Sequence, residues 1–243
     1  MEIYGGFMAE AGRRYFVKYT FYKTDPAWFR LPAEEKTASA GQFQAAADGF
    51  HEGLFLRAYN LQGMRGDADF MLWQVAPTLE EIQALAIRLQ STGLGHYLTT
   101  PYSYLAMTRQ SSYIDQHRHM GQEGAGGANA GATRPLGSQY LIVYPFWKTR
   151  PWYVLPQEER QAMMNAHFEI GHKYPTVKIN TSYSFGLDDQ EFVVSFETDE
   201  PGDFLDLVME LRGTQGSLYT LRDTPIFTCV SMHLRHILDG LAS

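Results

Sequence analysis

The chain is written twice. The stretch YFVKYTFYKTDPAWFRLPAEEK from Tyr15 and the stretch YLIVYPFWKTRPWYVLPQEER from Tyr140 align at an offset of 125 residues, which drops to 124 after one deletion. Tyr15, Tyr19, Phe21, Lys23, Thr24 and Pro26 meet Tyr140, Tyr144, Phe146, Lys148, Thr149 and Pro151. Trp28, Leu31, Pro32, Glu34 and Glu35 meet Trp152, Leu155, Pro156, Glu158 and Glu159. Further on, Thr92 meets Thr214, Tyr97 meets Tyr219, and Thr100-Pro101 meets Thr224-Pro225. Matches this dense mean one supersecondary unit built twice, and any fold for the chain has to accommodate two copies.

Each copy reads as an alternating aromatic and β-branched strand, a Leu-Pro-x-Glu-Glu helix start, a helix, two strands, a second helix and a last strand. In the second copy the strands are expected near 139–148, 178–186, 191–198 and 224–232, with helices near 156–173 and 201–211. That β-α-β-β-α-β order is a split βαβ, ferredoxin-like unit, whose helices cover one face of an antiparallel sheet. The fold class expected is therefore α+β, with two units in one chain, their sheets face to face or edge to edge around a barrel-like core and their helices outside. The expected division is 12–120 for the first half, 121–136 for a linker and 137–238 for the second half. The linker contains GQEGAGGANAGAT, residues 121–133, too poor in large side chains to bury anything.

Composition excludes several classes. With 20 Lys+Arg against 27 Asp+Glu the formal charge is −7, and no window gathers the basic residues a nucleic-acid surface needs. The single cysteine, Cys229, rules out an internal disulfide. Met1 to Arg14 has no charged-then-apolar leader, and no run of about 18 apolar residues could span a bilayer. A soluble cytoplasmic protein is expected. The 14% aromatic share suggests a core, or a cavity, lined with large flat side chains.

A duplicated fold with one active site must lose symmetry where the chemistry happens, so mismatches between the copies are informative. His167 stands where the first half has Phe43, on the same helix face as Met163, Met164 and Ile170. It reads either as a core histidine bonded to a backbone carbonyl or as a metal or haem ligand. Arg212 replaces Gln90 near a helix end, where it is either a solvated cation facing the helix dipole or a grip for a carboxylate. Tyr144 and Lys148 share a strand face, but Tyr19 and Lys23 repeat the pair, which leaves a structural role open. His117 and His119 flank Arg118 beside the Gly-rich stretch. No Ser-His-Asp order, phosphate loop or Cys pair with metal spacing is present.

From Tyr15 to Met232 these residues resemble the chlorite dismutase superfamily, and within it the coprohaem decarboxylases. The most specific stretches are Tyr144-Pro145-Phe146 with Lys148, the Trp-Tyr-x-Leu-Pro run at Trp152, Ala-His-x-x-x-Gly from Ala166, Phe185-Gly186-Leu187-Asp188-Asp189 and Asp223-Thr224-Pro225. The resemblance implies the duplicated ferredoxin-like fold and a homopentamer. It implies that His167 is the proximal haem-iron ligand, that Tyr144 is the redox tyrosine and that Lys148 is its basic partner at the carboxylate. Arg212, Ser217 and Tyr113 fall where the family contacts propionates, and Arg134 is placed to serve another.

The implied reaction is peroxide-dependent decarboxylation of iron-coproporphyrin III (coprohaem), turning two propionates into vinyls and giving haem b. The distal position, an arginine in chlorite dismutases and a glutamine in some decarboxylases, falls on Ile179 here. An aliphatic side chain cannot steer chlorite by hydrogen bonding, so chlorite dismutation is expected to be slow or absent. His117 or His119 folding over the distal face would then be the base for peroxide. The rivals are a chlorite dismutase or weak haem peroxidase and, in another class, a haem-binding or haem-sensing protein without turnover.

Overall fold

The structure, a computed structural model, describes residues 13–49, 54–109, 111–113 and 137–243. The expected linker 121–136 lies outside them, together with Arg134, His117 and His119. The first half runs β1 (Phe16–Thr24), α1 (Ala33–Asp48), β2 (Phe55–Asn60), β3 (Phe70–Ala76), α2 (Leu79–Gln90) and β4 (Leu98–Met107). The second runs β5 (Tyr140–Lys148), α3 (Arg150–Val154), α4 (Gln157–Gly171), β6 (Lys178–Tyr183), β7 (Phe192–Thr198), α5 (Pro201–Arg212), β8 (Thr220–Arg222), β9 (Phe227–Ser231) and α6 (Leu234–Ala242).

Every pairing between these strands is antiparallel. The first four strands lie in the order β4-β1-β3-β2, and the second half repeats it as β6, β7, β5, β9 read from the opposite edge. Short ladders join β2 to β9 and β4 to β6, so the two sheets meet edge to edge and close into an eight-stranded barrel, with β8 added on β5. Closure leaves the main strands no free edge. Alternate residues of both halves fill the interior, among them Val17, Tyr19, Phe21, Tyr59, Trp73, Leu141, Val143, Val193, Phe227 and Cys229. Tyr19 stacks on Trp73 at 5.5 Å between centroids. The helices lie outside, and none among the described residues is long and apolar enough to cross a membrane.

The hydrogen bonds correct the register of the repeat. Thr24 N donates to Asp69 Oδ2 at 2.8 Å, and Lys148 N donates to Glu191 Oε2 at 2.8 Å. Asp25 N reaches Tyr97 O and Thr149 N reaches Tyr219 O. Tyr22 faces Phe70 across the ladder as Phe146 faces Phe192. The offset at these positions is therefore 124, and the sequence match at 125 is out of step by one residue. A one-residue slip moves every side chain to the other face of a strand. Tyr19 thus points into the barrel, where its hydroxyl bonds Ser195 Oγ at 2.9 Å, while Tyr144 points out toward the helices and stacks on Phe196. The true counterparts of Tyr144 and Lys148 are Thr20 and Thr24, so the structural precedent that Tyr19 and Lys23 offered does not apply. Tyr19→Phe should accordingly lower stability by about 1 kcal/mol, measured by denaturant unfolding, and leave the outer face of β5 undisturbed.

The two helix layers also differ. Over the first half, Phe43 is fully buried and meets Tyr22 and Phe70 edge-on. There α6 covers part of the layer: Trp28 Nε1 donates to Leu241 O at 2.7 Å and Lys36 Nζ to Ser243 O at 2.9 Å. The division expected from sequence ends at 238 and contains no such helix, although Leu234, Ile237, Leu238 and Leu241 keep helical spacing and are all buried. Over the second half Ile142, Val194, Phe196 and Leu207 are buried in the matching layer. Tyr144, Phe146, Ile170, Tyr174, Val177, Phe192, Phe204 and Leu211 are packed there but remain partly open. This apolar layer between α4 and the sheet, which we term the cleft, is less completely buried by the described chain than its counterpart.

Candidate functional site

The floor of the cleft follows from register. Across β5, β7 and β6, directly opposed residues share a face. They form three rows: Ile142, Phe196 and Ile179; Tyr144, Val194 and Thr181; Phe146, Phe192 and Tyr183. Ile179 is 45% exposed on this floor. Its neighbour Asn180 points the other way and donates to Glu197, which is buried against Arg57 at the junction of the halves.

The roof is α4. His167 takes the place of Phe43 on its inward face, and neither ring nitrogen finds a hydrogen-bond partner among the described residues; its ring meets only Phe168. The backbone carbonyl expected for a core histidine is not at hand. Burial first, and then the nearby charge of Lys148, hold its pKa down at about 4. The imidazole is therefore neutral at neutral pH, with a lone pair available. The unfolded chain takes up this proton near pH 6.5 and the folded chain only near 4, so stability is lost as pH falls through that window. Thermal unfolding of wild type against His167→Phe should show this: the wild type loses more of its melting temperature between pH 6.5 and 4.

Lys148 Nζ lies at one end of the cleft. It donates to Gly216 O at 2.9 Å and sits over the rings of Trp152, at 4.4 Å, and Phe146, at 5.5 Å. Burial lowers its pKa to about 8. In the first half Lys23 Nζ is paired with Asp69 at 2.7 Å. In the second, the matching carboxylate of Glu191 is taken by the Tyr153 hydroxyl at 2.5 Å and by Lys148 N, and Lys148 Nζ is left without a carboxylate among the described residues.

Tyr144 faces the middle of the cleft. Burial, and next the charge of Asp223, push its phenol above the usual value, with Arg212 acting in the opposite sense. Both charges therefore lie near its ring. Arg212 is paired with Asp223, a partner that no spacing signal in the sequence could reveal. Ser217 spends its hydroxyl on the carbonyls of Thr214, at 2.7 Å, and Arg212, at 2.9 Å. Tyr113 comes over from the first half and lies against α4: its carbonyl accepts from Gln161 Nε2 at 3.2 Å and its hydroxyl from Arg160 Nη1 at 3.4 Å. His167 and Tyr113 thus lie on or against α4, Tyr144 and Lys148 on β5, Ile179 on β6, and Arg212 and Ser217 at and just after the C-terminal end of α5. Arg134 is not among the described residues.

These donors suit a metal carried inside a macrocycle. No group of three or more His, Cys, Asp or Glu among the described residues could hold a bare ion. An iron porphyrin needs only one axial nitrogen, flat apolar walls and cations for its carboxylates, and His167, the aromatic floor, Lys148 and Arg212 supply those.

Comparison with known proteins agrees with this geometry. The family model described as chlorite dismutase matches residues 36–232. A coproheme decarboxylase of Mycolicibacterium smegmatis is 32% identical over 184 residues, covering 75% of each chain. A mutant chlorite dismutase of Candidatus Nitrospira defluvii superposes with a TM-score of 0.86 at 27% identity, over 97% of this chain and 98% of that one. A heme-binding protein from Thermus thermophilus, at 24% identity, shares the fold with a TM-score of 0.82 over 94% of this chain and 95% of its own. On the family match and the curated relative together, the chain belongs to the chlorite dismutase family.

Proposed function

We propose that the protein is a coprohaem decarboxylase, binding iron-coproporphyrin III in the second-half cleft and converting two of its propionates to vinyls at the expense of hydrogen peroxide. The observation that carries this reading is the asymmetry of the two halves. The layer that the first half fills with Phe43 is less completely buried in the second and provided with a neutral histidine, an outward tyrosine and a lysine ammonium that no carboxylate among the described residues occupies. The name of the curated relative supports it.

His167 would hold the iron from α4, with the floor of β5, β7 and β6 on the opposite face. The iron porphyrin supplies the redox chemistry, passing two oxidising equivalents from peroxide for each propionate. For each, one propionate, one hydrogen peroxide and one proton give one vinyl, one carbon dioxide and two waters. Tyr144 keeps its proton in the resting protein because burial and Asp223 disfavour the phenolate. It therefore gives up an electron and a proton together, and the oxidised ring takes a hydrogen atom from the propionate methylene next to the macrocycle. Removal of the second electron then expels carbon dioxide and leaves the double bond. Lys148, which pairs with no carboxylate among the described residues, receives the propionate carboxylate and holds it beside Tyr144. Arg212 gives Nη2 to Asp223 and has further N–H donors for a second carboxylate.

Ile179 offers no hydrogen bond to a distal ligand, which favours this reaction over chlorite dismutation. Exposed Leu205, Met209, Leu218 and Leu221 are where we place subunit contacts of a homopentamer, and the cytoplasm is the compartment we assign. The test is to load the apo protein with iron-coproporphyrin III, add peroxide and weigh the porphyrin by mass spectrometry. Stepwise loss of two carboxyl groups is the expected result. A tightly bound but unchanged porphyrin would make the protein a haem carrier or sensor, and rapid oxygen release from chlorite would make it a dismutase.

A further inference from the structure

Along the inward face of α4, Arg160, Met164, His167 and Gly171 fall within about 60° of one another, while Ala162, Ala166 and Glu169 on the outer face are exposed. Arg160 stands two turns, about 10 Å, before His167 on this stripe. Its Nε is buried and has no hydrogen-bond partner among the described residues. Its Nη1 reaches only the Tyr113 hydroxyl at 3.4 Å, beyond the usual N–H···O range of about 2.7–3.2 Å. A guanidinium cannot shed its charge as a lysine can, so a buried donor here calls for an acceptor.

The first half shows what satisfies this position when nothing is to be bound. At the offset that pairs Phe43 with His167, the counterpart of Arg160 is Lys36, buried, with its ammonium donating to Ser243 O at the end of α6. There the chain caps its own cation. On α4 the described chain arrives only with Tyr113, whose phenol occupies one Nη and leaves Nε without an acceptor. Position and chemical type match between the halves, and the internal acceptor is what the second half lacks.

We propose that Arg160, together with the Tyr113 hydroxyl, is a carboxylate-binding pair of the cleft, with Nε and one Nη gripping a porphyrin side-chain carboxylate as a fork. Tyr113, released from Arg160, turns its hydroxyl proton to the same carboxylate. This rests on the porphyrin reading of the cleft and extends it to a residue on the roof. A planar two-donor fork on an apolar wall selects a carboxylate over a neutral side chain. Arg160 thereby sets which porphyrins fit: those with an acid group where α4 passes the macrocycle edge.

The experiment titrates apo wild type, Arg160→Met and Arg160→Lys with iron-coproporphyrin III and with its tetramethyl ester, following the Soret band. Wild type should prefer the acid. Arg160→Met should lose about tenfold or more in affinity for the acid and little for the ester, with Arg160→Lys between them. The axial histidine signature should persist in both variants. Apo Arg160→Met should melt at or above the wild-type temperature, because an unpaired buried donor has been replaced by an apolar chain of similar length. Equal losses for acid and ester, or a lower melting temperature with an unchanged acid-to-ester ratio, would overturn the assignment and leave Arg160 a structural cation. Full acid affinity in Arg160→Met would also overturn it while leaving the porphyrin site standing. If the wild type binds neither compound, the porphyrin reading and the Arg160 pair fall together.

Discussion

His167→Ala should abolish the axial-nitrogen signature of bound iron-coproporphyrin III and weaken its binding by at least about a hundredfold. Groups that merely orient a metal-bound histidine are worth roughly 10–100-fold, and here the ligand itself is removed. The loss should not come from unfolding. His167 makes no hydrogen bond among the described residues, and its cleft is partly open already, so the fold has little invested in it. Imidazole added to the variant should restore the spectrum, because the removed ring leaves space for it against neighbours that stay in place. Absorption spectroscopy of wild type and variant, with and without imidazole, checks this.

Tyr144→Phe should have the opposite profile, with binding kept and turnover reduced by roughly a hundredfold or more, the scale on which a positioned proton-transfer group works. The ring keeps its stacking on Phe196 at 6.0 Å between centroids, so the floor is preserved. What disappears is the phenolic O–H that burial and the charge of Asp223 hold protonated. Tyr19→Phe is the matched control, removing the same atom from the repeat partner that the sequence aligned with Tyr144. It should leave turnover intact, since that hydroxyl is buried in the barrel against Ser195. Peroxide-driven loss of carboxyl groups, measured for both variants, separates the two tyrosines.

The contrast between these tyrosines shows where the sequence was legible. The β-α-β-β-α-β order and its duplication could be read directly, because periodicity, Leu-Pro helix starts and turn residues are local signals. The replacement of Phe43 by His167 in the second copy follows from them, while the edge-to-edge closure of the barrel, one of two arrangements the sequence left open, rests on the short ladders of β2 with β9 and β4 with β6. The register of the repeat was not legible. The aromatic residues around Tyr15 and Tyr140 match best at 125, while backbone pairing and the carboxylates of Asp69 and Glu191 set it at 124. Only hydrogen-bond partners decide such a slip, and they lie 45 and 43 residues away in sequence. The Arg212 pair with Asp223 and the unpartnered Nε of Arg160 escaped for the same reason, since a partner, or the lack of one, is a tertiary fact. The missed α6 is different: its helical spacing was there to be seen, and it is the element that covers part of the first half's layer.

The replacement of Phe43 by His167 is what makes the number of binding sites informative. The halves share one topology, but among the described residues only the second carries a histidine on the inward face of its long helix, so the chain should take up one iron-coproporphyrin III and not two. The most direct measurement is a Soret titration of the apo protein at known concentration, run beside His167→Phe, which installs the first half's residue in the second. One equivalent per chain for the wild type, and loss of axial ligation in His167→Phe, is the expected outcome. Two equivalents, none, or an unchanged spectrum in His167→Phe would contradict a site built on the asymmetry of the repeat.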